Sequence, residues 1–391
     1  MKNRPHQIGV SGGGRTAGIA GYLSQYEGIQ IRGGFDPTCP EKIEKLLGVS
    51  NNPGGKIYSS YEEMLADPLI DWVMVGSPNK YHCEQIVAAF RAGKNVFTEK
   101  PLALHIEECR EITKAQEESN CQLFMGFCMR YARLYSRAKE ILSSGKLGQI
   151  ISIDANENIN PGHGAYIMTN WRRYKDLGGP HILEKWSHDL DLINWFTDSI
   201  PRRVAAFGGN DYFLPKNKDL LDTDPAFTRL NDHWEPGTNP FTSEKTIEDN
   251  IVAILEYYNG VRTQFQATLS NTLPERRMYF HCTKGNLIIE QYSATLQYKA
   301  LGDESPQLEQ MGEFHDAHLE GYQKVHADGD QLIMKDLAET IRTGQPVGCG
   351  RKEGLLGSVS ALMVDEARQQ GQVLDLSEVW NSLGIEPLSS E

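Results

Sequence analysis

Glu99-Lys100-Pro101 sets a lysine between an acid and a proline, directly after the apolar stretch Asn95-Val96-Phe97 and Thr98. A free lysine titrates near 10.4, too high for a good base at neutral pH, but partial desolvation beside another positive charge lowers that value. A lysine so placed could take or return a proton. The following proline fixes the backbone and admits a cis bond. A surface turn would have the same local sequence, so the role of Lys100 depends on what lies around it. Upstream, His6 to Val10 is a short apolar run that ends in Ser11-Gly12-Gly13-Gly14-Arg15-Thr16-Ala17. Gly12, Gly14 and Ala17 fit G-x-G-x-x-A, in which the first glycine permits a tight turn, the second lets the backbone approach a pyrophosphate, and the small third residue lets helix and strand pack closely. Amides at the start of the next helix, from Arg15 and Thr16 onward, would then face phosphate. Asp36 follows at 36 − 14 = 22 residues after Gly14. An acid about 20 residues on serves the ribose hydroxyls of a dinucleotide and repels a 2′-phosphate, so NAD is favoured over NADP. Arg15 and Arg32 keep NADP possible.

The elements that must position these residues alternate. Residues 29–36 read as a second strand, and strand and helix patterns then follow one another with short connections as far as residues 121–127. That rhythm predicts a parallel sheet covered on both faces, with ligands at the carboxyl ends of its strands. Gly12 to Ala17, Asp36, Gly76-Ser77-Pro78-Asn79 and Glu99-Lys100-Pro101 all fall at such ends. Beyond Gly148 the rhythm changes. Strand patterns recur at 150–159, 202–209, 250–270, 277–293 and 294–300, with hairpin signals at Asn259-Gly260 and Lys284 to Asn286. A mostly antiparallel sheet is expected there, with later helices over 329–344 and 355–371 and a domain boundary near residue 130.

The 391 residues suffice for two or three domains, and 39% hydrophobic with 23% charged residues suits a globular protein with a substantial core. A net charge of −13, without a basic block, disfavours nucleic acid and anionic membranes as partners. No apolar run reaches the roughly 18 residues that a membrane span needs, and the N-terminus enters a strand pattern almost at once, so no signal peptide is expected. The seven cysteines are scattered and form no CxxC pair, which points to a reducing cytoplasm.

The glycine loop, Asp36, Gly76-Ser77-Pro78-Asn79-Lys80-Tyr81-His82, the stretch Ala92 to Ala103 and Gly126 to Tyr131 occur in the order and spacing of the Gfo/Idh/MocA oxidoreductases. The chain resembles that family strongly over about residues 6 to 131 and more loosely to its C-terminus. The resemblance implies an α/β protein. A Rossmann NAD-binding domain (1–130) precedes an α/β domain with a large, mostly antiparallel open sheet (131–391) for substrate binding and oligomerisation. It also implies sugar or polyol substrates, and a place for Lys100 beside nicotinamide and substrate. Gly12, Gly14, Arg15, Thr16, Ala17, Asp36, Ser77, Pro78, Asn79, His82, Glu99 and Lys100 are thereby expected around the cofactor.

In the second half, residues 178–196 resemble the family's helix that carries an acid four residues before a histidine, here Glu184 and His188. Residues i and i+4 share one helix face, and Asp191 and Trp195 continue near it. The family usually has aspartate where this chain has Glu184. The longer side chain could make the same hydrogen bonds, or turn away and leave the role to Lys185. An ordinary amphipathic helix is the bland alternative. His181, His188, Asp189 and Asp191 lack metal-ligand spacing such as HExxH, so no metal is assigned. His163, Tyr166, Trp171 and Arg172 offer stacking and hydroxyl recognition of the kind a sugar site needs, and with Arg130 and Lys185 they form the expected substrate set. Residues 210–249 read as a long loop that covers the site or meets another subunit. In 325–330, His326 could approach the site, although helix N-capping by Asp328 or Asp330 is the simpler account.

The chemistry implied is hydride transfer between a nicotinamide and a ring carbinol. Either Lys100 or His188 accepts the proton while the other holds the hydroxyl, with Glu184 assisting. Two alternatives stand beside it: a glycoside-cleaving or epimerising enzyme that recycles NAD within each turnover, and a non-catalytic NAD-binding regulator. An exposed open sheet face would be apolar, so a homodimer or homotetramer is expected.

Overall fold

The computed structural model describes residues 4–50, 52, 54–311, 326 and 328–386. The chain divides into two compact units. The first comprises Met1–Tyr131 and Asp328–Ser358; the second comprises Ala132–Ala327 and Val359–Glu391.

In the first unit β1 (His6–Ser11), α1 (Arg15–Leu23), β2 (Ile29–Phe35), α2 (Pro40–Val49), β3 (Lys56–Ile57), α3 (Tyr61–Ala66), β4 (Ile70–Val75), α4 (His82–Arg91), β5 (Asn95–Thr98), α5 (Ile106–Ser119) and β6 (Leu123–Met125) alternate without a break. The strands pair in the order β3-β2-β1-β4-β5-β6, every pair parallel. Central strands buried on both faces are near-continuous apolar runs; Ile8, Val10, Val73, Met74 and Val75 are all buried. Local sequence sets the helix ends. Pro40 opens α2, the Ser60 hydroxyl accepts the Glu63 amide at the start of α3, and Asn120 closes α5 at φ 56°. This is the doubly wound order whose switch point lies between β1 and β4.

The second unit opens with α6 (Arg133–Ser143) and β7 (Ile150–Asn158). Helices α7 (Pro161–Ile167), α8 (Lys175–Gly178), α9 (His181–Glu184) and α10 (Ser187–Thr197) follow, then β8 (Pro201–Gly209), β9 (Asn250–Tyr257), β10 (Arg262–Thr268), β11 (Glu275–Cys282), β12 (Gly285–Glu290), β13 (Thr295–Ala300) and β14 (Gln307–Gln310). Next along the chain, α11 (Gly329–Thr343) belongs to the first unit, and α12 (Arg351–Gln370) contains the unit boundary. β15 (Leu374–Asp375) and α13 (Ser377–Ser382) end the described chain. Nine strands form one sheet, β14-β13-β12-β11-β7-β10-β9-β8-β15, antiparallel except where β7 meets β10. Gly260, at φ 83°, makes the β9–β10 turn, as its sequence requires.

Two expectations need correction. Residues 328–358 sit with the first unit rather than with the second, because α11 is bonded into it: the Tyr131 hydroxyl donates to Asp336 at 2.8 Å, and Asp330 pairs with Arg15. Periodicity reveals that a helix is amphipathic but not which surface it covers. Residues 210–249 are also not a structureless loop. They form 3-10 turns at Pro215–Asp222, Pro225–Thr228 and Asn231–His233 around a cluster of Tyr212, Phe213, Phe227 and Phe241. Asp249 ties the start of the segment by accepting the amides of Asp211, Tyr212 and Phe213 at 2.8–2.9 Å.

Candidate active site

At the carboxyl edge of the parallel sheet, Gly12 turns the chain at φ 97°, and its amide donates to the Phe35 carbonyl. A Cβ there would lie 2.4 Å from the Gly76 carbonyl oxygen. One on Gly76 would in turn strike Thr16. Glycine is therefore required on both neighbouring turns. Gly14 caps α1 and has no atom within 4 Å of an added Cβ, so open space meets the helix start. Thr16 is buried with its hydroxyl unpartnered, and Ala17 packs inward. Asp36 follows β2 and faces the loop: one carboxylate oxygen accepts the Gly13 amide at 2.6 Å, and the other accepts the Thr38 amide and hydroxyl and the Cys39 amide. Partial burial works against its charge, but these bonds outweigh that and hold the carboxyl below its ordinary range.

The other expected cofactor residues lie on the adjoining strand ends. The Ser77 hydroxyl donates to Gln85, Pro78 leads into the turn Asn79–Tyr81, and Asn79 is buried. His82 is buried, with Nδ1 2.7 Å from the Pro101 carbonyl and Nε2 3.0 Å from the Ser77 carbonyl. It joins the turn after β4 to the turn after β5. Burial, with Lys100 nearby, lowers its pKa. The Lys100–Pro101 peptide is cis. Buried Glu99 pairs with Arg15 at 3.2 Å, and Arg15 also meets Asp330 at 2.5 and 2.8 Å. Asp330 is thus an ion-pair partner, not an N-cap. Asp328 is the N-cap residue of α11, without a side-chain cap bond. Arg32 is taken up by Asp67 at 3.0 Å. Arg130 lies in the turn Cys128–Tyr131 that closes this half of the first unit.

The residues present fit a dinucleotide. The glycine turn leaves room at a helix start, a buried hydroxyl lacks a partner there, and an ionised aspartate ends the second strand.

In the second unit Glu184 and His188 do not share a helix face. The helical ladder breaks at Lys185 and Trp186, so Glu184 ends α9 while His188 lies in the first turn of α10. The Glu184 carboxylate instead accepts Arg172 Nε at 2.8 Å. Arg172 donates to the Tyr166 hydroxyl at 2.9 Å and lies over the Trp171 ring, 4.2 Å from its centroid. Asn160 caps α7 through the His163 amide and thereby presents His163 and Tyr166. His188 is buried against the His326 ring, with centroids 5.1 Å apart. Asp191 is buried on α10, and Trp195 packs against Phe196.

A buried charge network that the sequence reading missed supports these groups. Lys185 lies 3.2 Å from Glu157, and Arg276 lies 3.3 Å from the same oxygen. Arg276 also grips Asp189 with two bonds, at 2.9 and 2.8 Å. Asp189 is thereby committed to an arginine. Burial raises its carboxyl against that pull, while Arg276 and Lys185 outweigh burial at Glu157 and hold it down at about 2. Arg276 and Glu157 are register partners on β11 and β7. A signal existed: both occupy inward positions of alternating strands, beside Met278 and Phe280 on β11 and Ile153 and Ala155 on β7. Burial and the Lys185 charge push His163 down to about 3, so it is a neutral hydrogen-bonding group at pH 7.

A parallel six-stranded sheet with a glycine turn, a strand-end aspartate and a second unit with a nine-stranded, mostly antiparallel sheet defines a two-part dinucleotide-binding protein. Residues 8–127 match the model of the oxidoreductase family's NAD-binding Rossmann fold, and residues 139–376 match that of its C-terminal alpha/beta domain. The chain belongs to the Gfo/Idh/MocA oxidoreductase family. Its relatives include an uncharacterized oxidoreductase of Streptococcus pneumoniae, 30% identical over 52% of this chain and 53% of its own length. Another is 2,7-anhydro-N-acetylneuraminate hydratase of Escherichia coli, 29% identical over 70% of this chain and 64% of its own. The chain thus matches about half to two thirds of these two relatives. Among solved structures, levoglucosan dehydrogenase in complex with NADH and levoglucosan superposes with a TM-score of 0.77 at 17% identity, covering 96% of this chain and all of that one. At that identity the likeness concerns the fold. Among the described residues no helix is long and apolar enough to cross a membrane.

Proposed function

We propose that this protein is an NAD-dependent oxidoreductase acting on a ring carbinol of a sugar, glycoside or inositol. The observation that carries the reading is the strand-end set of the first unit: the Gly12–Ala17 turn, Asp36, and the turns that hold Ser77 and Lys100, joined by His82. NAD is favoured over NADP. Asp36 is held ionised, and the two arginines that could receive a 2′-phosphate are engaged by Glu99 and Asp330 and by Asp67.

When bound, the nicotinamide supplies the hydride acceptor or donor. Lys100 and His188 act at the reacting hydroxyl, one exchanging its proton and the other orienting it. Neutral His163, Lys185, Tyr166 and Arg172 recognise the remaining hydroxyls. Glu184 serves through Arg172, which it holds over Trp171.

The hydratase name of the Escherichia coli relative supports a second reading, in which NAD is reduced and reoxidised within one turnover. A screen of sugars and polyols with NAD⁺, following NADH absorbance and products together, separates the two. Altered sugar without NADH favours internal recycling. NAD binding without any product leaves a non-catalytic regulator. Lys100→Ala should lower turnover at least about a hundredfold while NAD still binds; near-normal turnover would remove Lys100 from the mechanism.

An assembly of two or four copies through the open face of the second sheet goes with this reading. Phe207 is 74% and Ile254 58% exposed there, and Phe207 is the register partner of Val252. The face is mixed rather than apolar throughout, since Arg262, Gln264 and Gln266 line β10.

A further inference from the structure

The segment 210–249 is built onto the helix that carries His163 and Tyr166. On α7, a Cβ at Gly162 would lie 2.1 Å from the Ala226 carbonyl oxygen, so the segment's backbone touches the helix directly. The Thr169 carbonyl accepts the Glu235 amide at 3.0 Å and the Thr238 hydroxyl at 3.3 Å. The Arg173 carbonyl accepts the Thr246 amide, and Arg173 pairs with Glu235 at 2.7 Å. These ties flank the turn Asn231–His233 and set the His233 ring edge-on against Tyr166, with centroids 5.8 Å apart. Tyr166 also contacts His163, at 5.9 Å.

Tyr166 is thus in ring contact with two imidazoles, His163 and His233. His163 feels the charges of the Lys185–Glu157 pair. The His233 side chain is 58% exposed, with Asp232 3.7 Å from its Nε2. Arg172 secures the Tyr166 ring by its bond to the hydroxyl. An aromatic ring flanked by one buried-side and one exposed imidazole can recognise a ligand larger than one sugar ring: ring faces meet its C–H surface, and the imidazoles exchange hydrogen bonds with its hydroxyls.

We infer that residues 210–249 build an outer subsite, with His233 as its specificity-determining group, for a second sugar ring or comparable glycosidic substituent; the preferred substrate is a glycoside rather than a free monosaccharide. The inference rests on the sugar-directed reading above and narrows its substrate class. His233 does not touch the reacting carbon. It binds the distant ring, and its effect falls on KM.

The test compares methyl β-glucoside with cellobiose, methyl α-glucoside with maltose, and methyl β-galactoside with lactose. Each is titrated calorimetrically into NAD⁺-saturated protein and assayed for NADH and for products. The expected result is that the disaccharide of at least one pair binds about tenfold more tightly than its methyl glycoside. His233→Ala should remove that advantage through KM, with kcat and the methyl glycoside unchanged, and His233→Asn, which retains a donor and an acceptor, should restore part of it. The exposed position of His233 makes loss of fold an unsuitable explanation, and the unchanged methyl glycoside controls for it. No disaccharide advantage in any pair, or an equal effect of His233→Ala on both members, overturns the inference while leaving turnover of the sugar, and so the proposed function, standing. His233-dependent disaccharide binding without any product supports the subsite and counts against the proposed chemistry.

Discussion

His163 illustrates how a residue's role depends on its neighbours. Its ordinary pKa of about 6.5 is pushed down to about 3 by burial and by Lys185. The unfolded chain therefore binds a proton near pH 6.5 that the folded chain refuses until about pH 3. The resulting stability is present above pH 6.5 and is lost as pH falls through that window. Urea unfolding at pH 7 and pH 4.5 should show a smaller acid loss in His163→Gln than in the parent; identical losses would contradict the assignment. Gly12 is a residue of another kind, chosen for lacking a side chain. Gly12→Ala places a methyl group against the Gly76 carbonyl at φ 97°, so NAD affinity should drop by more than about tenfold in fluorescence titration.

At the scale of elements, β7, β11 and α10 are joined by charge rather than by apolar contact alone. Arg276 is 1% exposed, and both of its acid partners are wholly buried. Removing the arginine leaves two carboxylates in a poor solvent, so Arg276→Gln should cost about 3–5 kcal/mol of stability by chemical denaturation. A cost below about 1 kcal/mol would mean that water reaches the network. Sequence periodicity placed the strands of both sheets, apart from the short edges β14 and β15. It failed at Glu184 and His188, where i, i+4 spacing presumes an unbroken helix. The ladder breaks at Lys185 and Trp186, and the residues on either side are held by distant partners, Glu184 by Arg172 and Asp189 by Arg276, which local propensity does not record.

For the whole molecule, cofactor binding should act as a stabiliser because a ligand of the native state shifts unfolding by mass action. NAD at one hundred times its Kd should add about 2.7 kcal/mol, read as a raised Tm. NADP at the same concentration should add less, and equal protection would contradict the reading of Asp36. Light scattering addresses the proposed assembly. Phe207→Asp with Ile254→Lys should reduce its mass if the open face is the contact, and an unchanged mass would place the contact elsewhere.

The sequence by itself determined the alternation that makes the first sheet parallel, the glycine turn, Asp36 and the strand-end position of Lys100. Each of these depends on local backbone rules or on spacing along the chain. Tertiary structure alone decided that 328–358 completes the first unit and that His82 braces two turns. It also decided that Arg15 serves Glu99 and Asp330, and that Glu157 and Arg276 meet across a strand pair. Those outcomes depend on which surfaces meet, and the chemistry of a charged side chain is set by the partner that folding brings to it.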